Sequence, residues 1–164
     1  MGSHTASVSA APRFRWDVYC RVVDNYGDLA VCRRVALNLA ALGQCVRLWV
    51  DDAALMHRMD PHMPRADESF WQTGSASVAW VLWQAQHEAQ CCEQPGDVVI
   101  EAFGCNPPEA FVRHMREPLA QTAAAPPVWI NLEYLSAEAY VERSHGLPSP
   151  QHAGPGAGLT KWFF

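Results

Sequence analysis

The stretch from Trp16 to Asp52 constrains the fold more than any other, because it spells out strand, turn, helix, turn and strand in order. Trp16 to Val23 (WDVYCRVV) is apolar and rich in β-formers, which predicts a buried strand. Asp24-Asn25-Tyr26-Gly27-Asp28 is a turn-forming cluster. From Leu29 to Leu42, Val31, Val35, Leu39 and Leu42 recur at helical spacing, predicting one apolar helix face with Asp28 as N-cap. Gly43 is placed to end that helix. Val46 to Val50 (VRLWV) predicts a second strand, closed by Asp51-Asp52. Two strands joined through a helix pair in parallel, so the unit predicts an α/β fold with a parallel sheet.

The remaining chain continues the alternation. Residues 56–69 read as loop with at most a short helix, and 77–90 fit strand or helix equally. Gly96 to Phe103 (GDVVIEAF) predicts a buried strand. Pro107-Pro108 opens a helical stretch through Met115. Ala123 to Pro127 resembles a linker, and Val128 to Leu132 (VWINL) predicts a strand. Ser136 to Arg143 predicts a helix capped by Ser136. His145 to Gly158 (HGLPSPQHAGPGAG) predicts a loop without regular structure. The final run, Leu159-Thr160-Lys161-Trp162-Phe163-Phe164, is β-like and aromatic, and as an exposed edge strand it would invite aggregation. Either this end docks into the core or the chain has been cut short; the cut is the expected reading, with a self-associating end. Residues 1–15 are expected to be a disordered N-terminal tail or an artificial leader, and residues 16–164 one Rossmann-like domain.

Composition removes several function classes. With 49% apolar and 18% charged residues among 164, the chain is globular and long enough to bury a core. No run approaches the ~18 apolar residues of a membrane span, and no secretory signal is visible. A net charge of −5 argues against a nucleic-acid or membrane-surface binder. The six cysteines contain no CxxC pair and no zinc spacing. Cys20, Cys32 and Cys45 read as small buried thiols. Cys91-Cys92 is a vicinal pair, awkward as a disulfide. The seven tryptophans read mainly as packing residues. These features suit a reducing cytoplasm.

The loop at 24–28 is the candidate site. It follows the first strand at its carboxyl end, where open α/β sheets bind ligands, and the next helix offers free N–H groups and a positive dipole end. Gly27 permits close backbone approach. Asp24 and Asp28 could converge on one cationic group. Equally, Asp28 could cap the helix while Asp24 stabilises the turn. A dinucleotide site would need GxGxxG here, with an acid ending the second strand. Asp51 and Asp52 supply the acid but only Gly27 is present, so a nicotinamide or flavin site is disfavoured. Glu133-Tyr134 ends a later strand and faces the same rim if the sheet is parallel, which makes Glu133 a further candidate for touching an acceptor. His145 reads as a solvated loop residue.

VVDNYGDLAVCRRVALNLA followed by VRLWVDD resembles the opening of the bacterial elongation factor P arginine rhamnosyltransferases (EarP). VVIEAFGCNPP, WINLEYLSAEAYVE and HGLPSP leading to KWFF agree in the same order, so the resemblance covers nearly everything after residue 15. It implies the N-terminal domain of a cytoplasmic glycosyltransferase with two Rossmann-like domains (GT-B). Such enzymes transfer L-rhamnose, with inversion, from dTDP-β-L-rhamnose to one arginine of elongation factor P. No metal or other cofactor is implied, nor a nucleic acid or membrane partner. The nucleotide-sugar pocket would lie mainly on a second domain that has no counterpart here, so these residues alone should be inactive. Carried over by position, the family's motif aspartates fall on Asp24 and Asp28, with Asp28 as general base; Asn25, Tyr26 and Gly27 complete the motif as substrate-binding residues. Ala30 and Arg33 depart from the family's usual glycine and aromatic, which bears on how closely a donor approaches the loop. The alternatives are another GT-B transferase with a different sugar or acceptor, or a non-catalytic protein-binding α/β module.

Overall fold

The computed structural model describes residues 13–23, 26–59, 78–83, 94–120, 125–134 and 138–164. The opening unit forms as β1 (Arg15–Cys20), α1 (Gly27–Ala41) and β2 (Cys45–Val50). Then follow α2 (Ala53–Met59), β3 (Val78–Leu82), β4 (Val98–Ala102), α3 (Glu109–Met115), α4 (Glu117–Ala120), β5 (Val128–Leu132), α5 (Tyr140–Ser144), β6 (Leu147–Pro150) and β7 (Thr160–Phe163). The seven strands make one sheet in the order β3-β2-β1-β4-β5-β7-β6, parallel except for β6 against β7. That is a Rossmann-like order, with its switch point between β1 and β4.

Alternation along the strands builds two cores. Val18, Cys20, Leu48, Val50, Ile100 and Ala102 face α1 and α2. Tyr19, Trp49, Val99 and Trp129 face the other way and pack with Phe111, Val112 and Met115 of α3. Trp49, Trp80, Trp83 and Trp129 are buried, as packing residues should be.

The buried stripe of α1 is not the predicted one. Leu29, Cys32, Ala36 and Ala40 face the sheet, whereas Val31 is 43% and Leu42 74% exposed. Small side chains let the helix lie close against β1 and β2, and the larger apolar residues flank that contact. Gly43, at φ 81°, ends the helix as expected, its N–H bonding the Ala40 carbonyl. The first strand stops at Cys20 rather than Val23, because Val22 and Val23 bond to side chains instead of a neighbouring strand.

Two buried charges tie the strands together. Asp17, fully buried, accepts two bonds from Arg47 (2.5 and 2.8 Å), one from Trp49 Nε1 (2.9 Å) and one from the Gly96 N–H (2.6 Å). Glu101 accepts bonds from Trp129 Nε1 (3.1 Å) and Lys161 Nζ (2.8 Å), and Lys161 also lies 4.2 Å from the Trp129 ring centre. The β4–β5–β7 half of the sheet is thereby joined through one carboxylate.

The segment from His145 onward corrects the sequence expectation. Leu147–Pro150 is a strand, formed by antiparallel pairing with β7. β7 is paired on both sides, to β5 and β6, so it is not an exposed edge and the edge-strand argument for self-association does not hold. Gly156 sits so tightly on the Trp129 ring that a Cβ would come within 2.9 Å of it, which explains a glycine-rich return there. Residues 1–12, all of 60–77, and 84–93 with Cys91 and Cys92 lie outside the described residues, as does Ser136 with its predicted cap.

Candidate functional site

The site is assembled at the carboxyl ends of β1, β4 and β5. Tyr26 occupies the N-cap position of α1 without a side-chain cap, and Gly27 is the first helical residue. Asp28 is therefore not the cap that the sequence suggests. It lies one residue inside the helix, on the buried face, and is only 2% exposed. Its Oδ2 accepts the Val23 N–H at 3.0 Å, and its Oδ1 accepts the Tyr134 hydroxyl at 3.0 Å. A carboxylate in the first turn also meets the positive end of the helix dipole, which favours its ionised form.

The loop is held from its other side by Asp51, whose Oδ1 accepts the Val22 N–H at 2.8 Å. Residues 21–23 are thus suspended between Asp51 and Asp28. Asp52 accepts the Leu55 N–H at 2.9 Å and starts α2. Both acids that a dinucleotide site would use on a ribose are occupied with backbone donors.

Cys20, which feels the Asp28 charge, and Cys105 are both buried. The Cys20 thiol is pushed far above its ordinary range by its hydrogen bond with Cys32, by burial, and by the Cys32, Asp28 and Asp51 charges. Burial first, and then the Glu101 charge, raises Cys105 to about 12; its S–H points to the Tyr19 carbonyl at 3.4 Å. A thiol is nucleophilic only as thiolate, so Cys20 and Cys105 should resist iodoacetamide at pH 8 in the native protein and react fully in guanidinium. Peptide mapping by mass spectrometry checks this, and native-state labelling of either would refute the buried-thiol assignment.

The facing wall comes from β4 and β5. Phe103, Gly104 and Asn106 adopt left-handed backbone at φ 56°, 62° and 51°. That is uncommon for a bulky residue such as Phe103, which is held by its N–H to the Leu132 carbonyl at 2.7 Å. The turn presents the Phe103 ring to Tyr134, stacked at 4.1 Å and 11°. Asn131, buried at the end of β5, accepts the Gly104 N–H at 3.3 Å and donates its amide to Glu133 Oε1. The Glu133 N–H bonds the Phe164 carbonyl at 2.8 Å, and the Phe164 ring meets His145 edge-on at 5.1 Å.

Of the residues expected at the site, Tyr26, Gly27 and Asp28 are brought together at the helix start, and Glu133 lies on the same rim, beside the tyrosine that touches Asp28. Asp24 and Asn25 lie outside the described residues. Tyr134 is the functional candidate that sequence reasoning passed over; its position at a parallel strand end, next to Glu133, was the available signal. The arrangement offers a shielded carboxylate beneath a half-exposed aromatic rim, chemistry suited to holding a cationic group. Among the described residues, no three His, Cys, Asp or Glu side chains cluster as metal ligands.

Comparison with known proteins agrees with this geometry. A family model described as elongation factor P (EF-P) rhamnosyltransferase EarP matches residues 16–164. Protein-arginine rhamnosyltransferases of Pseudomonas putida and Pseudomonas aeruginosa are 47% and 43% identical over 150 residues, 91% of this chain. The protein of the same name from Neisseria meningitidis serogroup B is 33% identical over 154 residues, 93% of the chain. The chain spans 36% of the length of each of these curated relatives.

Proposed function

We infer the function from one premise: the chain belongs to the EF-P rhamnosyltransferase family matched over residues 16–164. As the N-terminal part of a protein-arginine rhamnosyltransferase, it forms the acceptor side of a cytoplasmic, two-domain GT-B enzyme. The donor is dTDP-β-L-rhamnose, bound mainly by a second domain, and the acceptor is one arginine of elongation factor P. The observation that carries this reading is Asp28, a buried carboxylate at the start of α1, on the carboxyl edge of the parallel sheet.

The chemistry needs such a group. A guanidinium is protonated at any physiological pH and is then a poor nucleophile. Asp28, together with Asp24 of the same motif, is assigned to hold the guanidinium by charge-assisted hydrogen bonds and fix its plane. One guanidinium nitrogen attacks the anomeric carbon, the bond from that carbon to the diphosphate oxygen breaks, and Asp28 takes the proton from the attacking nitrogen. The helix dipole keeps Asp28 ionised, which strengthens cation binding and weakens the base. Positioning and charge compensation therefore supply much of the rate, with the proton leaving late. Tyr26 and Gly27 line the approach, Asn25 completes the substrate-binding motif, and Glu133 offers a second negative charge on the rim. No step calls for a metal, since the leaving diphosphate is stabilised by backbone donors and helix dipoles.

Mass spectrometry of elongation factor P, incubated with dTDP-rhamnose and the full-length protein, tests the reading. One deoxyhexose gained on an arginine is the expected result. No gain with dTDP-rhamnose, or gain on another residue, would redirect it to a different sugar or acceptor.

A further inference from the structure

We propose that Tyr134 is a positioning residue for Asp28, its hydroxyl fixing the carboxylate that receives the acceptor guanidinium. The proposal deepens the rhamnosyltransferase reading and rests on it. Tyr134 follows β5, and its hydroxyl reaches past the end of β4 to donate to Asp28 Oδ1 at 3.0 Å, across 106 residues of sequence. The other oxygen, Oδ2, is taken by the Val23 N–H at 3.0 Å. Turning the carboxylate about its own bond would break both contacts, so they fix the plane in which Asp28 meets a guanidinium.

A bare tether between β5 and α1 would not need what surrounds this contact. Tyr134 is 54% exposed, yet its ring is stacked at 4.1 Å on Phe103. Phe103 takes a left-handed backbone, φ 56°, that a bulky side chain seldom adopts. Its N–H is anchored to the Leu132 carbonyl at 2.7 Å, two residues before Tyr134. Strain of this kind persists only where the surroundings enforce it, and it gathers at functional sites. The strained turn provides a flat platform that holds an exposed phenol in one orientation over a buried acid. Asn131 braces the same turn through Gly104.

Tyr134→Phe in the full-length protein removes the hydroxyl and keeps the stack. With elongation factor P and dTDP-rhamnose as substrates, kcat should fall by about tenfold or more, the scale of a hydrogen bond to a charged group. KM for elongation factor P and the melting temperature should stay near wild type. Because the effect runs through Asp28, adding Tyr134→Phe to Asp28→Asn should cause little further loss. Wild-type kcat in Tyr134→Phe overturns the proposal, as does a raised KM with unchanged kcat, which would make Tyr134 an acceptor contact. Full multiplication of the two losses in the double variant also overturns it. Retained activity in Asp28→Asn alone is a different failure: it removes the base assignment beneath the proposal.

Discussion

Asp28→Asn in the full-length protein should leave the fold intact and cut rhamnosyl transfer by at least about a hundredfold, the usual scale for losing a general base. The structure makes asparagine a nearly shape-neutral replacement. Its carbonyl oxygen can accept the Val23 N–H that now bonds Oδ2, and its amide can donate to the Tyr134 hydroxyl oxygen that now donates to Oδ1. Val23 therefore keeps its anchor on the helix start. Two things are lost: the negative charge that binds a guanidinium and the lone pair that takes its proton. A melting temperature close to wild type, measured with the kinetics, separates chemistry from folding. Turnover near wild type in a folded Asp28→Asn protein would make Asp28 an anchor for the loop and nothing more. Asp28 is not the helix cap, so loss of a cap cannot account for a fall in rate.

The βαβ opening was legible because periodicity, turn residues and Gly43 all agreed. WDVYCRVV, VRLWV, VVIEAF and VWINL each contain a strand of the sheet. What misled was local. Val31 and Leu42 look like core residues of α1 by spacing, but burial went to Leu29, Cys32, Ala36 and Ala40. A helix packed on a sheet is selected for small contact residues, and hydrophobic spacing alone does not weigh size. Leu147–Pro150 carries two prolines and gave no strand signal. It is an edge strand whose pairing comes entirely from β7, the position in a sheet where proline is tolerated. The site divided in the same way. That a connection joins β1 to α1 could be found from sequence, since turn residues between a strand and a helix are visible locally. The contact between Asp28 and Tyr134 could not, because they lie 106 residues apart and only the sheet order β1-β4-β5 brings them together.

Asp17→Ala should be the most damaging single change to stability, at about 3–5 kcal/mol, the range for breaking a buried ion pair by removing one partner. Asp17 is fully buried and gathers four hydrogen bonds from two separate pieces of chain: two from Arg47 and one from Trp49, both on β2, and one from the Gly96 backbone. Truncation takes the buried carboxylate away from the largely shielded Arg47 guanidinium, and it strands the Trp49 indole N–H and the Gly96 amide. The site has no room to rearrange around the loss. A Cβ on Gly96 would already stand 2.5 Å from the Arg15 carbonyl oxygen, so this backbone is packed directly on β1. In a domain of this size each kcal/mol moves the midpoint by roughly 2–4 °C, which puts the expected drop in melting temperature at about 10 °C or more. Asp17→Asn keeps an acceptor for Gly96 and should cost less. The double replacement Asp17→Leu with Arg47→Leu should cost less than Asp17→Ala, because the buried pair is then removed as a unit and replaced by apolar side chains. Circular dichroism melts of the three variants decide the matter. An Asp17→Ala melt within 2–3 °C of wild type, under about 1 kcal/mol, would mean that the four hydrogen bonds only balance the penalty of burying the pair. The β1–β2–β4 junction would then owe its stability to Val18, Leu48 and Ile100 on one face and Tyr19, Trp49 and Val99 on the other.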